Sequence, residues 1–375
     1  MHAAYNALPA RLSQAAARSP RPVVVAGFDG FIDEMTSVVG ERRSLNEWTP
    51  IGGIPTFGAW VNGAAGRSAL REIVMHRADP GGCAVNLGDG LNAMGVELHA
   101  FATLGEPIHP AFRPFVDACA SCTSWAGVHG RTIAFEFTDG KIMLCSVSQL
   151  ADLDVACLDR HLADGVYARR CAQAQVIALT NWTLYPHMTP CWLRLIEQVY
   201  RKLPPSPRFF IDLVDPTARS QADIGAMLAV LPQLQRCGPV TLGVNSNEGN
   251  VLARVLGLAP VADEPAAVEA QARVLREKLG VEEVVTHSIR FSAAADATGS
   301  ASVPGPWCQA PVKSTGAGDR YNAGTVLGHC LGLDLSARLA LGNLASGFFV
   351  RQARSGSALE LARFAQELVA AAIGK

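Results

Sequence analysis

The sequence predicts an α/β protein: a doubly wound, mostly parallel sheet flanked by helices, with a small β lid. Short, mainly apolar runs recur at residues 23–26, 176–180, 209–212, 240–244 and 281–286. Runs of that length without polar alternation mark strands buried on both faces, as parallel sheets require. Stretches of helical periodicity at 191–201, 217–235, 248–256 and 266–279 separate the later runs. Repeated strand–helix alternation argues for parallel strands joined by right-handed crossovers. The lid follows from Thr138-Asp139-Gly140, an Asp-Gly turn between strand-like runs at 131–137 and 141–146.

Residues 1–22 carry alanines and arginines without a continuous apolar core, so a short amphipathic helix is expected there rather than a signal peptide. The first strand closes at Gly27, and Asp29 and Asp33 follow it. Ligands of open α/β sheets bind beyond the carboxyl ends of strands, where ionised carboxylates accept hydrogen bonds from sugar hydroxyls. Residues 42–79 read as an irregular, glycine-rich part of a lid. Pro80-Gly81-Gly82 then opens a helix that carries Asn86 and ends at Gly95; paired glycines there let a ligand approach the backbone closely. A strand at 96–101 and a helix at 112–120 come next. Asn181 and Asp212 follow later strand ends on the same expected ligand side. Helices at 335–350 and 358–373 close the chain. With no internal repeat or clean linker, one domain over 1–375 is the simplest account, with lid segments at about 34–79 and 125–150.

The chain is 49% hydrophobic and 17% charged with a formal net charge of -1, which gives no electrostatic case for binding nucleic acid or an anionic membrane. No apolar run approaches the roughly 18 residues of a membrane span. The ten cysteines are scattered, with a lone Cys-x-x-Cys at Cys119 and Cys122. Reduced cysteines packed as small hydrophobes are expected, and with them a cytoplasmic location.

The most informative stretch runs from Lys313 to Gly324. A glycine-rich turn leads into Asp319, after which Ala323, Val326, Leu327 and Cys330 share one helix face. Bare N–H groups at a helix N-terminus favour an anion such as phosphate, and Asp319 beside it is a candidate general base. Alone, the stretch reads equally well as a loop with Asp319 as an N-cap. Competing motifs are absent: there is no Walker A loop, no Gly-x-Gly-x-x-Gly after a strand, no His-Glu-x-x-His and no Gly-x-Ser-x-Gly.

Three separated features carry a resemblance. Lys313 to Gly324 resembles the second signature of the ribokinase-like (PfkB) carbohydrate kinases, Gly81-Gly82 with Asn86 and Gly95 resembles the first, and Asn245-Ser246-Asn247-Glu248 resembles the Asn-x-x-Glu motif. They stand in the family's order over about residues 23–354. Gly88 departs from the small Ser, Thr or Ala of that first signature.

The resemblance implies a ribokinase-like fold and phosphoryl transfer to a sugar or nucleoside hydroxyl. Asp319 would take the proton, and the N–H groups of Gly316, Ala317 and Gly318 would form the anion hole. Asn245 and Glu248 would position Mg2+ through its waters. Asp33, with Asp29 competing for its role, would hold the acceptor together with Gly81, Gly82, Asn86 and Asn181. The nucleotide would lie against Asn245, Thr286, His287, Thr315, Asn343 and Gly347. ATP is the expected co-substrate. The His287-Ser288 run and the six-residue step from Gly27 to Asp33 are closer to the ADP-dependent sugar kinases of the superfamily, so ADP stays open as donor. A monovalent cation is allowed for as an activator, and pairing of lid strands would give a homodimer. The contrasting class is a catalytically silent binding protein; intact Asp319, Asn245 and Glu248 argue against it.

Overall fold

Apolar β-branched runs become strands at each of the expected places in a computed structural model, which describes residues 3–204 and 207–373. Residues 1, 2, 374 and 375, the outermost parts of the expected single domain, lie outside the described residues. The strands are β1 (Val23–Gly27), β2 (Phe31–Arg42), β3 (Trp48–Pro50), β4 (Ile73–Gly81), β5 (Glu97–Ala102), β6 (Ser121–Ser124) and β7 (Gly130–Phe137). After these come β8 (Gly140–Ser146), β9 (Val176–Thr180), β10 (Arg208–Asp212), β11 (Val240–Asn245), β12 (Glu283–His287), β13 (Phe291–Asp296) and β14 (Gly299–Pro304).

Nine strands form the main sheet in the order β14-β13-β12-β11-β10-β9-β1-β5-β6. From β12 to β6 every pairing is parallel; β13 and β14 add an antiparallel edge. Successive strands build outward from β1 through β5 to β6 on one side and from β9 to β12 on the other. The order therefore reverses between β1 and β9, the position at which such sheets open a crevice for ligands. Both faces are covered. Val25, Ile177, Phe209 and Leu242 enter one apolar core, while Val24, Ala26, Val176, Ala178 and Phe210 enter the other. Each of the larger side chains contributes about 1.5–3 kcal/mol on burial, the alanines less.

The smaller sheet is the lid, ordered β3-β2-β7-β8 with β4 also on β2. Strand β2 is 12 residues long and leaves the main sheet just after Gly30. It pairs in parallel with β7 and antiparallel with β4. The stretch 42–79, expected to be irregular, instead contains β3, the helix Ile54–Gly63 and most of β4. The periodicity is hidden because β4 mixes His76, Arg77 and Asp79 into a mostly exposed strand, and two glycines interrupt the helix. Phe57 of that helix packs on Phe135 and Phe137 of β7.

Other departures have local causes. The helix expected over 217–235 is split into Gln221–Leu228, capped by Ser220, and Leu231–Gln235, which has Pro232 in its first turn. The β13–β14 hairpin escaped notice because Ala293, Ala294 and Ala295 carry little strand signal. Four-residue β6 and the helices Val155–Leu162 and Val166–Gln173 were also not expected. Gly88 has a packing reason: a Cβ there would stand 2.7 Å from the Phe115 ring and 2.8 Å from a Leu98 methyl. The N-terminal segment forms the helix Leu8–Ala16 with Leu8 and Leu12 buried. All ten cysteines are free thiols. Among the described residues no helix is long and apolar enough to cross a membrane.

Candidate active site

The carboxyl ends of β1, β9, β10, β11 and β12 bring the expected polar residues to one edge. Asp29, just past β1, is fully buried, and four protein donors fill its carboxylate. They are the backbone N–H groups of Cys83 (2.6 Å) and Ala84 (2.8 Å), the Thr180 hydroxyl (2.7 Å) and the Asn181 amide (2.9 Å). Asp29 is thus the clamp that fixes the N-terminus of the helix Cys83–Ala93 against β1 and β9. Asn181 is buried with it, and its side-chain oxygen accepts from Leu184 N–H. Gly82 has φ 96°, and a Cβ there would come within 2.9 Å of the Asp29 carboxylate, so glycine is required on both counts.

Asp33 has the opposite surroundings. It lies on β2, in register with Asp79 on one side and Thr132 on the other. Burial, with the Asp79 charge adding, pushes its carboxyl above the usual carboxylate value, while the Thr132 hydroxyl and the ammonium groups of Lys141 and Lys313 pull it down. A Cβ on Gly81 would stand 2.7 Å from the Asp33 carboxyl carbon. Asp33, Asn86, Lys141, Lys313 and Thr315 line a cleft of about 20 Å³ between lid and body. That is room for roughly one water. Lys141 Nζ reaches Thr315 Oγ1 at 3.4 Å and Glu136 at 3.3 Å.

The signature loop stands at the N-terminus of the helix Ala317–Cys330. Gly316 occupies the cap in left-handed conformation (φ 86°), and Asp319 is the helix's third residue rather than its N-cap. Of the three expected anion-hole donors, the Ala317 N–H is engaged by the Ser314 carbonyl at 3.0 Å. The Gly316 and Gly318 N–H groups have no acceptor among the described residues. Asn86 meets this loop directly, since a Cβ on Gly316 would lie 3.5 Å from the Asn86 amide. Burial, reinforced by the Asp212 charge, pushes the Asp319 carboxyl up to about 8; Arg320 opposes the shift.

A second cavity, of about 550 Å³, opens on the other side of the loop. Asn245, His287, Gly318, Tyr321, Asn343 and Gly347 are among its lining residues. Its volume lies in the range of small-molecule sites. His287 packs edge-on to Gly318, whose Cβ would stand 3.2 Å from the ring, and burial lowers its pKa to about 4. The ring is therefore neutral near pH 7 and supplies no positive charge. Thr286 is fully buried, and its hydroxyl has no hydrogen-bond partner among the described residues. Asn343 donates to the Val303 carbonyl at 3.0 Å. Asn245 and Glu248 form a reciprocal cap: Glu248 N–H donates to the Asn245 side chain at 2.9 Å, and Asn245 N–H donates to Glu248 Oε2 at 2.8 Å. Burial, then the Asp212 charge, pushes Glu248 up to about 8.

Lys141, Cys83 and Asp263 join the site although no motif singled them out, and Lys313, the first residue of the signature stretch, joins it without having been assigned a role. Lys141 directly follows the Asp-Gly turn, and Cys83 directly follows Gly81-Gly82, so their positions beside recognised features were the available signal. Asp263 is remote in sequence and accepts from Ser246 (2.6 Å) and Ser288 (2.7 Å) at the mouth of the larger cavity.

Known proteins share both the pattern and the shape. A family model described as prokaryotic ketohexokinase matches residues 2–368. Ketohexokinase of Haloferax volcanii is 29% identical over 346 residues, covering 91% of this chain and 90% of its own. The crystal structure of ribokinase from Thermotoga maritima superposes with a TM-score of 0.63 at 14% identity, covering 92% of this chain and 99% of the other. That of a phosphofructokinase-2 mutant from Escherichia coli gives 0.62 at 15%, covering 93% and 99%.

Proposed function

Because the chain belongs to the prokaryotic ketohexokinase family, among the ribokinase-like carbohydrate kinases, we propose that it moves the terminal phosphoryl group of ATP to a hydroxyl of a ketohexose. One observation carries the mechanism. A single loop lines both cavities, with Thr315 on the smaller and Ala317 and Gly318 on the larger, and Asp319 follows it directly. ATP would occupy the larger cavity with its phosphates toward the helix N-terminus, where unpaired N–H groups and the helix dipole favour negative charge. The ketohexose would hydrogen-bond to Asp33 and Asn86.

Asp319 accepts the hydroxyl proton as the new oxygen–phosphorus bond forms and the bond to the ADP oxygen breaks. Its raised proton affinity suits that task, because a base works best with a pKa near the working pH. The Gly316 and Gly318 N–H groups hold the transferring group's oxygens, and Lys141 and Lys313 lie across the cleft as further positive charge. A hydrated Mg2+ fits beside Asn245 and Glu248: Glu248 is a buried acid whose proton affinity is raised first by burial and then by the Asp212 charge, which a cation would offset. When bound, the ion neutralises charge on the phosphates.

A coupled ADP-release assay over ketohexoses, aldoses and nucleosides, each with ATP and with ADP, tests the reading. Turnover is expected with a ketohexose and ATP. Turnover with ADP alone would replace the donor, and binding without turnover across the panel would favour a silent binding protein. Gly347 gives a test of the donor cavity. A side chain there would run into Pro306, so Gly347→Val is expected to raise the KM for ATP by about tenfold or more, roughly 1.4 kcal/mol, with the acceptor KM unchanged in steady-state kinetics.

A further inference from the structure

Neither Cys83 nor Asp212 takes the proton or touches the transferring group in the reading above, yet both stand beside the base. Cys83 Sγ and carboxylate oxygens of Asp212 and Asp319 all lie within 4.8 Å of one another. We propose that these three side chains form a binding site for a thiophilic divalent cation of the zinc class, and that its occupancy blocks the kinase.

The donor set selects such an ion. One thiol and two carboxylates make a three-ligand set of the kind that leaves a fourth tetrahedral position open, with ligand bonds of about 2.0–2.3 Å. Soft sulfur favours zinc or cadmium, whereas Mg2+ takes oxygen ligands and keeps its waters. Arg320, whose charge acts on Asp319, divides its guanidinium between Asp89 at 2.7 Å and Ser355 at 3.1 Å and lies over the Phe349 ring. A second observation points the same way. Asn322 donates to Asp212 at 2.7 Å, and its own amide oxygen is buried without a partner among the described residues. Binding displaces protons from the three ligands and occupies the Asp319 carboxylate, which can then no longer accept the acceptor's proton.

Cadmium is the probe, used on the full chain carrying Cys119→Ser and Cys122→Ser so that this neighbouring thiol pair does not compete. Titration is expected to give thiolate-to-cadmium charge-transfer absorbance, and equilibrium dialysis one bound ion at this site. Cys83→Ser should abolish the absorbance and weaken binding at least tenfold, while Asp212→Asn should weaken binding and keep the absorbance. Equal affinity in the parent and in Cys83→Ser would overturn the proposal. If Cys83→Ser does not fold, peptide mapping after alkylation of the parent decides: cadmium must shield Cys83, and shielding of other thiols alone sinks the idea. The readout is binding, so failure here leaves the phosphoryl-transfer reading untouched.

Discussion

Asp319→Asn is expected to keep ATP binding and lose phosphoryl transfer by roughly 10²–10⁴-fold in kcat, the usual contribution of a positioned general base. The amide is nearly the same size but cannot take the proton. The wild-type profile of kcat/KM against pH should rise through an acidic limb well above the ordinary carboxylate value of about 3.9, because burial and the Asp212 charge raise Asp319 to about 8 in the free protein. Bound Mg2+ and lysine charge move that limb down; bound phosphate moves it up. A limb at the ordinary carboxylate position, or a variant that turns over normally, would remove Asp319 from the mechanism.

The same substitution is expected to stabilise the fold. The folded-state pKa of Asp319 exceeds its unfolded value, so the folded state holds a proton that the unfolded chain has released. That contribution to stability is complete below about pH 4 and is lost as pH rises towards 8. At pH 7 an uncharged amide escapes the penalty. Thermal unfolding of Asp319→Asn should therefore occur about 1–2 °C higher, as about 1 kcal/mol would produce in a chain of this size. Activity falling while the melting temperature rises separates a chemical role from a folding defect.

Asp33→Ala is expected to act on the acceptor alone. Each hydrogen bond to a charged group is worth about 1.5–3 kcal/mol, so losing one or two should lower kcat/KM for the sugar by roughly 10²- to 10³-fold. The KM for ATP should stay within about twofold, a difference of under 0.5 kcal/mol, because the donor cavity lies on the far side of the signature loop. Asp29→Ala would behave differently, since it strips acceptors from four buried donors and threatens the fold. Initial-rate kinetics in both substrates, with unfolding curves, separate the two acids.

The contrast between these acids marks the limit of what the chain reveals when read in one dimension. Asp29 and Asp33 stand four residues apart after the same strand, and sequence gave them competing claims. Only burial and partners distinguish a carboxylate consumed by four internal donors from one facing a cleft. The position of Asp319 in the first turn of a helix behind a glycine turn was legible because the glycines and the acid are close neighbours in sequence. Lys141 was not, because its approach to Thr315 depends on how β8 pairs in the lid. The main strands were legible from their mainly apolar runs, whereas β4 was obscured by exposure of most of its residues.

Strand β2 leaves the main sheet two residues after Asp29, and Asp33 lies on it within the lid, as Lys141 lies on β8. On the reading proposed here, the groups that choose the acceptor belong to the lid, while those that hold the nucleotide and move the proton belong to the body. Such a division makes the molecule evolvable in parts. Drift in a few lid residues can change which hydroxyl compound is accepted without disturbing the chemistry beneath.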